Sequence, residues 1–337
     1  MSAFHDLLAQ VSEGATLSQD QAEAAFTAIM GGDIDEIQLA AFLTALHVRG
    51  ETIDELTGGV AVLRDKVTKV EAPDGAIDTC GTGGDARGTL NVSTAVAIVV
   101  AACGVPVAKH GNRSLSSKSG SSEVLAELGV KIDLPPDKVA RCLKKADIGF
   151  MMAPVYHTAM KHVAGVRRAL GFRTIFNLMG PLSNPAGTQR QLVGVFDRKW
   201  VEPFASVLQR LGSTRAWVVH GSDGLDELSI SGASFVAELK DGAITTFDVM
   251  PEDAGLARAP LNEIVGGTPA ENAAALQALA EGAKNAYRDI VLLNAGAALV
   301  VANAVPDLRR GVETAAQAID CGNALATLHK LVEVSNS

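Results

Sequence analysis

Three stretches of the chain carry residues whose types and spacing suit work on a phosphorylated ligand. Gly81-Thr82-Gly83-Gly84-Asp85 follows a short β-branched run, Ile77–Cys80, and precedes a helical stretch opening near Asn91-Val92-Ser93-Thr94. Four glycines within Gly81–Gly88 let backbone N–H groups turn toward one point, and the helix start adds unpaired donors and the positive end of its dipole. Phosphate suits such a cradle, although composition alone leaves an ordinary glycine turn as the alternative. The second stretch is Lys109-His110-Gly111-Asn112-Arg113, placed at the end of a strand over Val105–Ala108 and continuing as Ser114-Leu115-Ser116-Ser117-Lys118-Ser119-Gly120-Ser121. Three cations and five serine hydroxyls there could wrap an anion from the side opposite the glycines. A flexible Ser/Gly linker is the competing reading, and the helix resuming after Ser121 argues against it. The third is Asp226-Glu227, in the loop following a strand over Ala216–His220. Adjacent carboxylates at a strand end suit Mg²⁺, which shares its shell with phosphates and water. Other acidic pairs, Asp35-Glu36, Asp54-Glu55 and Glu252-Asp253, read as solvated surface.

Several chemistries drop out. Gly81–Ala86 satisfies the relaxed dinucleotide fingerprint, but the acidic residue wanted about 20 positions on is missing from Ala101-Ala102-Cys103-Gly104-Val105. No P-loop occurs anywhere. Cys80, Cys103, Cys142 and Cys321 form no C-x-x-C pair, and the seven histidines form no H-E-x-x-H. Any metal would therefore be held by oxygen. With 29 Lys+Arg against 38 Asp+Glu the net charge is −9, the wrong sign for a nucleic-acid face. The longest stretch free of polar side chains, Ala95–Ala108, is 14 residues, short of the ~20 a membrane helix needs. No secretory signal is visible at the start. The expectation is a soluble, cytoplasmic protein without nucleic-acid or membrane partners.

The elements that must position these residues fall into two textures. The first 70 residues read as helices only, with capping boxes at Ser18–Gln21 and Thr52–Glu55. From Ile77 onward, short runs (Val105–Ala108, Ile148–Met152, Ala216–His220) alternate with helices (Ser93–Cys103, Val124–Leu128, Lys138–Lys145, Val201–Leu211). That alternation predicts a mostly parallel central sheet flanked by helices. Phe235–Leu239 and Ala243–Phe247, joined through Lys240-Asp241-Gly242, predict an antiparallel hairpin appended to it. Pro269–Val334 returns to Ala-rich helix. The fold class is α/β, with a smaller all-helical domain.

Taken in order, Gly81–Asp85, Asn91–Thr94, Lys109–Arg113 with Ser121, Arg167, Arg173-Thr174-Ile175-Phe176-Asn177, Gly180-Pro181-Leu182, Asn184-Pro185-Ala186 and Gly224-Leu225-Asp226-Glu227 resemble the anthranilate phosphoribosyltransferases over nearly the whole chain. The resemblance implies a homodimer whose helical domain comprises residues 1–72 plus about 162–186, the α/β domain taking 73–161 plus 187–337. It implies transfer of the phosphoribosyl group from 5-phosphoribosyl-1-diphosphate to the amine of anthranilate, with two Mg²⁺ per subunit. By motif match, Gly81, Gly84, Asp85, Thr89, Asn91, Val92, Ser93, Thr94, the run Lys109, His110, Gly111, Asn112, Arg113, Ser114, Leu115, Ser116 and Ser117, and Ser121 would line the sugar diphosphate. Ser93 with Glu227 would hold one ion and Asp226 with Glu227 the other, while Gly81, Asn112 and Arg167 would touch anthranilate, the Arg167 guanidinium donating to the anthranilate carboxylate. His110 and His157 are candidates to relay a proton.

Four positions depart from the family pattern. Thr158 and Gly165 stand where prolines are usual, and Ala86 and Leu90 where glycine and phenylalanine are common. The first two bear on the anthranilate entrance; none removes a proposed ligand. Two rivals remain: a pyrimidine-nucleoside phosphorylase, which needs neither the acidic pair nor an arginine for a benzoate, and a non-catalytic nucleic-acid-binding relative, which would have gained a basic face.

Overall fold

The computed structural model describes residues 3–85, 87–113 and 119–337. A seven-stranded sheet lies at its centre: β1 (Ile77–Gly81), β2 (Val107–Gly111), β3 (Ile148–Met152), β4 (Arg190–Gly194), β5 (Arg215–Gly221), β6 (Ser234–Lys240) and β7 (Ala243–Val249). The spatial order is β3-β2-β1-β4-β5-β6-β7, parallel through β5 and antiparallel thereafter. The hairpin forms as expected, because Asp241 (φ 51°) and Gly242 (φ 76°) both adopt the left-handed backbone that a two-residue turn between twisted strands demands.

Two strands correct the sequence reading. β4 was not anticipated: it is five residues long and opens on Arg190 and Gln191, so it shows little apolar pattern, yet it sits between β1 and β5. β2 begins two residues later than expected. Pro106 lends only its carbonyl, to Ile77 N at 2.9 Å, and pairing starts at Val107, whose N–H reaches Asp147. Lys109 and His110 therefore lie inside the strand, both buried, instead of in a loop beyond it.

Two apolar layers sandwich the sheet. On one face, helix Val92–Ala102 packs with helix Ala286–Val301, which is buried along nearly its whole length and so is apolar all round. On the other, the N-terminal helices Gln19–Gly31, Glu36–Arg49 and Ile53–Lys66 share one core with Val163, Val166, Ile175, Phe176, Met179 and Leu182. Phe26 meets Phe176 edge to face at 5.7 Å, and that core continues onto the sheet through Val193, Val195, Ala216 and Val218. The capping box at Thr52 forms as read, and its Glu55 does more than cap: fully buried, it also accepts from Leu17 N at 2.9 Å and pairs with Arg49. All four cysteines are free. No described helix is long and apolar enough to cross a membrane.

Candidate active site

The chain lays β1, β2 and β3 to one side and then returns to place β4 on the other flank of β1. Open parallel sheets bind ligands beyond the strands' carboxyl ends at such a reversal. The turns leaving β1, β4 and β5 meet there. Gly81 and Gly194, the last residues of β1 and β4, are register partners. Asp226 crosses directly over them: a Cβ on Gly194 would lie 1.5 Å from the Asp226 carbonyl oxygen, and one on Gly81 2.3 Å from its Oδ2. Only glycine permits this approach.

Hydrogen bonds then stitch the turns together. Gly83 N donates to Asp226 Oδ2 at 2.7 Å, Thr82 N to the Gly194 carbonyl at 2.9 Å, and Phe196 N to Thr82 Oγ1 at 3.0 Å. Arg173 lies over the Phe196 ring at 4.2 Å and donates to the Gly84 carbonyl. The loop carrying the acidic pair is shaped by Asp223, whose carboxylate accepts from Leu225 N at 3.2 Å and from the hydroxyls of Ser229 and Ser231.

Helix Val92–Ala102 opens onto the same space. Asn91 occupies its N-cap, yet makes no side-chain cap bond; its Oδ1 accepts from Asn272 Nδ2 at 2.8 Å and its carbonyl from the Tyr287 hydroxyl at 3.1 Å. The Ser93 main chain lies beside the Glu227 carboxylate and lowers its pKa. Val92 is buried and can offer only its main chain, and the buried Thr94 Oγ1 has no partner among the described residues. Thr89 is tied to Val265 by an isolated bridge.

Lys109 is used from within. Its ammonium is buried and donates to the Thr79 carbonyl at 2.7 Å and to Ser93 Oγ at 3.4 Å, with Glu227 and Asp78 nearby. Asp78, which sequence reasoning missed, accepts from His110 N at 3.2 Å and from Asn184 Nδ2 at 2.7 Å. Burial pushes its carboxyl up to about 6. A charged residue within the short apolar run Ile77–Cys80 was the available signal. His110 and His157 face each other, Nε2 to Nε2, at 3.2 Å. Burial lowers them to about 3 and about 4, so both rings are neutral near pH 7.

Asn112 and Arg113 are exposed, Asn112 Oδ1 accepting from Arg113 N at 2.8 Å. Ser121 opens the helix Ser121–Glu127 beside Gly111. Arg167 lies on the helix Lys161–Leu170, half-buried, its guanidinium 5.4 Å from the Phe176 ring centre. Ser114, Leu115, Ser116, Ser117 and Ala86 lie outside the described residues. Thr158 starts a single 3₁₀ turn, Thr158–Met160, without proline, and Gly165 is exposed with room for a side chain.

The acids are held against their preference. Burial, then the charge of Asp85, pushes the Asp226 carboxyl up to about 6. Glu227 is raised well above the carboxylate range by burial and by Asp226, against the lowering influence of Lys109. Asp85 is raised as well, mainly by burial. Among the described residues no group of three or more His, Cys, Asp or Glu is arranged to hold a metal alone. A cation here would need oxygens from a ligand.

Residues 73–325 match the family model described as "Glycosyl transferase family, a/b domain", and residues 5–67 match "Glycosyl transferase family, helical bundle domain". An anthranilate phosphoribosyltransferase of Rhodopseudomonas palustris is 56% identical over 337 residues, covering 100% of this chain and 99% of the relative. The crystal structure of the anthranilate phosphoribosyltransferase of Thermus thermophilus superposes with a TM-score of 0.94 at 40% identity, covering 100% of both chains. The Saccharomyces cerevisiae anthranilate phosphoribosyltransferase, solved in complex with PRPP and Mg, superposes at 0.90 with 25% identity, over 99% of this chain and 98% of that one.

The raised acids set a stability expectation. A carboxyl whose folded pKa is about 6, against ~3.9 unfolded, favours the fold fully below the unfolded value and loses that contribution as pH rises through about 6. Asp226→Asn should therefore raise the denaturation midpoint of the ligand-free protein at pH 7.5 and not at pH 4. The ceiling is ~3 kcal/mol, at about 1.4 kcal/mol per tenfold change in acidity. Chemical denaturation at the two pH values checks this; a less stable variant at pH 7.5 would contradict it.

Proposed function

We propose, from the premise that this chain belongs to the anthranilate phosphoribosyltransferase family, that it carries the phosphoribosyl group from 5-phosphoribosyl-1-diphosphate to the amine of anthranilate. The products are N-(5-phosphoribosyl)anthranilate and pyrophosphate, the second step from chorismate toward tryptophan. The observation that carries the reading is the convergence of glycine loop, helix start and acidic pair, with Gly83 N on Asp226 Oδ2 at 2.7 Å and the Ser93 main chain beside Glu227.

The donor set fits magnesium. Raised, crowded carboxyls mark a place short of positive charge, and paired acids without a complete protein cage suit an ion that fills its shell with phosphate oxygens and water. Ser93 with Glu227 would hold one ion and Asp226 with Glu227 a second. Bound there, magnesium neutralises charge on the departing pyrophosphate. The chain supplies the rest. Gly81, Gly84, Asp85, Thr89, Asn91 and the first turn at Val92, Ser93 and Thr94 line the diphosphate, the turn adding N–H groups that no side chain caps. Lys109 sets a fixed positive charge beneath the loop. By motif match, Lys109 to Ser117 and Ser121 complete the lining of the diphosphate and ribose phosphate.

The amine of anthranilate is a weak nucleophile because its lone pair is delocalised into the ring. The ribose C1–O bond therefore breaks ahead of C1–N formation, its electron pair leaving with pyrophosphate. Orientation of the amine then matters, and in favourable cases it is worth roughly 7–11 kcal/mol. Gly81, Asn112 and Arg167 supply it, Arg167 presenting its fork to the carboxylate. The amine becomes acidic once bonded to C1, and the neutral pair His110 and His157 can take its proton.

The remaining assignments rest on packing. Residues 1–72 with about 162–186 form the helical unit, supported by the core they share, and 73–161 with 187–337 form the α/β unit. Ile37 and Val48 are 83% and 78% exposed, eleven residues apart on helix Glu36–Arg49 and so on one face three turns apart. That face supports a homodimer, and the family's biosynthetic chemistry supports a cytoplasmic location.

The decisive assay mixes purified protein with sugar diphosphate, Mg²⁺ and anthranilate and follows loss of anthranilate fluorescence. No turnover, with phosphate-dependent cleavage of a pyrimidine nucleoside instead, would sink the reading. Arg167→Ala should raise KM for anthranilate on the order of tenfold or more and leave KM for the sugar diphosphate nearly unchanged, as loss of a charge-assisted bond implies; equal damage to both removes Arg167 from the acceptor site. Converting Asp226 and Glu227 together to amides should cost on the order of 10²-fold or more in kcat/KM, and an unaltered Mg²⁺ dependence would refute the metal assignment. Light scattering should show a dimer that Ile37→Asp with Val48→Asp converts to monomer; a monomeric parent protein contradicts the homodimer.

A further inference from the structure

Helix Ala286–Val301 touches both halves of the proposed ion site without contributing a ligand to it. Asn294, fully buried, donates from Nδ2 to the Leu228 carbonyl at 2.9 Å and accepts at Oδ1 from Leu228 N at 2.9 Å. A second Nδ2 bond, also 2.9 Å, anchors the carboxamide to the Ile290 carbonyl of its own helix. Leu228 directly follows Glu227. Tyr287 stands seven residues before Asn294, two turns away and on the same face. Its hydroxyl donates to the Asn91 carbonyl at 3.1 Å, two residues before Ser93. The Ser93 main chain lies beside the Glu227 carboxylate, so Leu228, Asn294, Tyr287 and Asn91 run as a chain from one to the other.

We propose that Asn294 and Tyr287 are positioning residues, using one buried helix as a splint that sets the spacing between Glu227 and Ser93. An α-helix is stiff over two turns, and this one spans from the loop carrying Asp226 and Glu227 to the helix start at Asn91. Asn294 grips both main-chain groups of Leu228, so the loop can neither slide nor rotate about that residue. Tyr287 fixes the partner side through a carbonyl that belongs to the N-cap. The spacing that a cation and a diphosphate meet is thereby built in before either arrives, as outer groups do around metal ligands generally. The inference rests on the reading of Glu227 and Ser93 as magnesium ligands.

The test is a calorimetric titration of the full-length protein with magnesium-loaded 5-phosphoribosyl-1-diphosphate, with anthranilate absent. Asn294→Leu, of similar size, should weaken binding about 10–100-fold, the range for outer-shell partners of a metal site. Tyr287→Phe should weaken it several-fold. In a Glu227→Gln background Asn294→Leu should cost less than about threefold further, since residues acting through one group do not add. A purely structural asparagine would give the same loss in both backgrounds, and that additivity overturns the inference, as does wild-type binding by Asn294→Leu. If Asn294→Leu fails to fold by circular dichroism, Tyr287→Phe carries the same comparison with and without Glu227→Gln. Unchanged binding by Glu227→Gln alone would bring down the magnesium assignment itself, a result distinct from failure of the splint.

Discussion

The close passage of the Asp226 main chain over Gly81 and Gly194 governs the site. Side chains at those two strand ends would hold the acidic loop away from the sheet edge, and the Gly83 bond to Asp226 could not form. With hydrogen in place of Cβ, three turns from three neighbouring strands share one small volume. Much of the local architecture protects that approach: Asp223 folds the acidic loop over its two serines, and Arg173 pins the glycine loop from the helical side.

The approach has an electrostatic consequence. Burial raises the carboxyls of Asp85, Asp226 and Glu227, with Asp85 adding to the rise at Asp226 and Asp226 to that at Glu227, where Lys109 offsets only part of it. Such crowding is unfavourable in the free protein and favourable once a cation and an anionic ligand enter. Stability is spent on function here, as is common at active sites. The same logic explains why the core on that side is so extensively apolar: helices Val92–Ala102 and Ala286–Val301 supply the burial that lets the edge remain strained in charge.

Much of this was legible beforehand, and the failures are instructive. The capping boxes at Ser18 and Thr52 and the Asp241-Gly242 hairpin turn depend on neighbours within four residues, and each formed as read. β4 escaped notice because a central strand needs no alternating pattern, and Arg190-Gln191-Leu192-Val193-Gly194 is too short to show one. A strand starting at Val105 puts Lys109 and His110 beyond its end, whereas Pro106 delays pairing until Val107 and so keeps both inside the strand. Asp78, Asn184 and Arg173 were missed as parts of the site because their partners are 32, 106 and 89 positions away in the chain.

From the sequence alone followed the chemistry: a glycine-rich anion cradle, a cationic serine segment, paired carboxylates, and the family whose motifs share their order. These are matters of residue type and short-range spacing, which backbone stereochemistry and ionisation determine locally. What belonged to the tertiary structure was convergence. That Lys109 serves from beneath, that Asp226 closes over two glycines, and that Asn294 and Tyr287 reach the site from one distant helix all depend on the strand order reversing at β1 and β4. Strand order is set by which apolar faces bury together, a property of the whole chain that no local pattern contains.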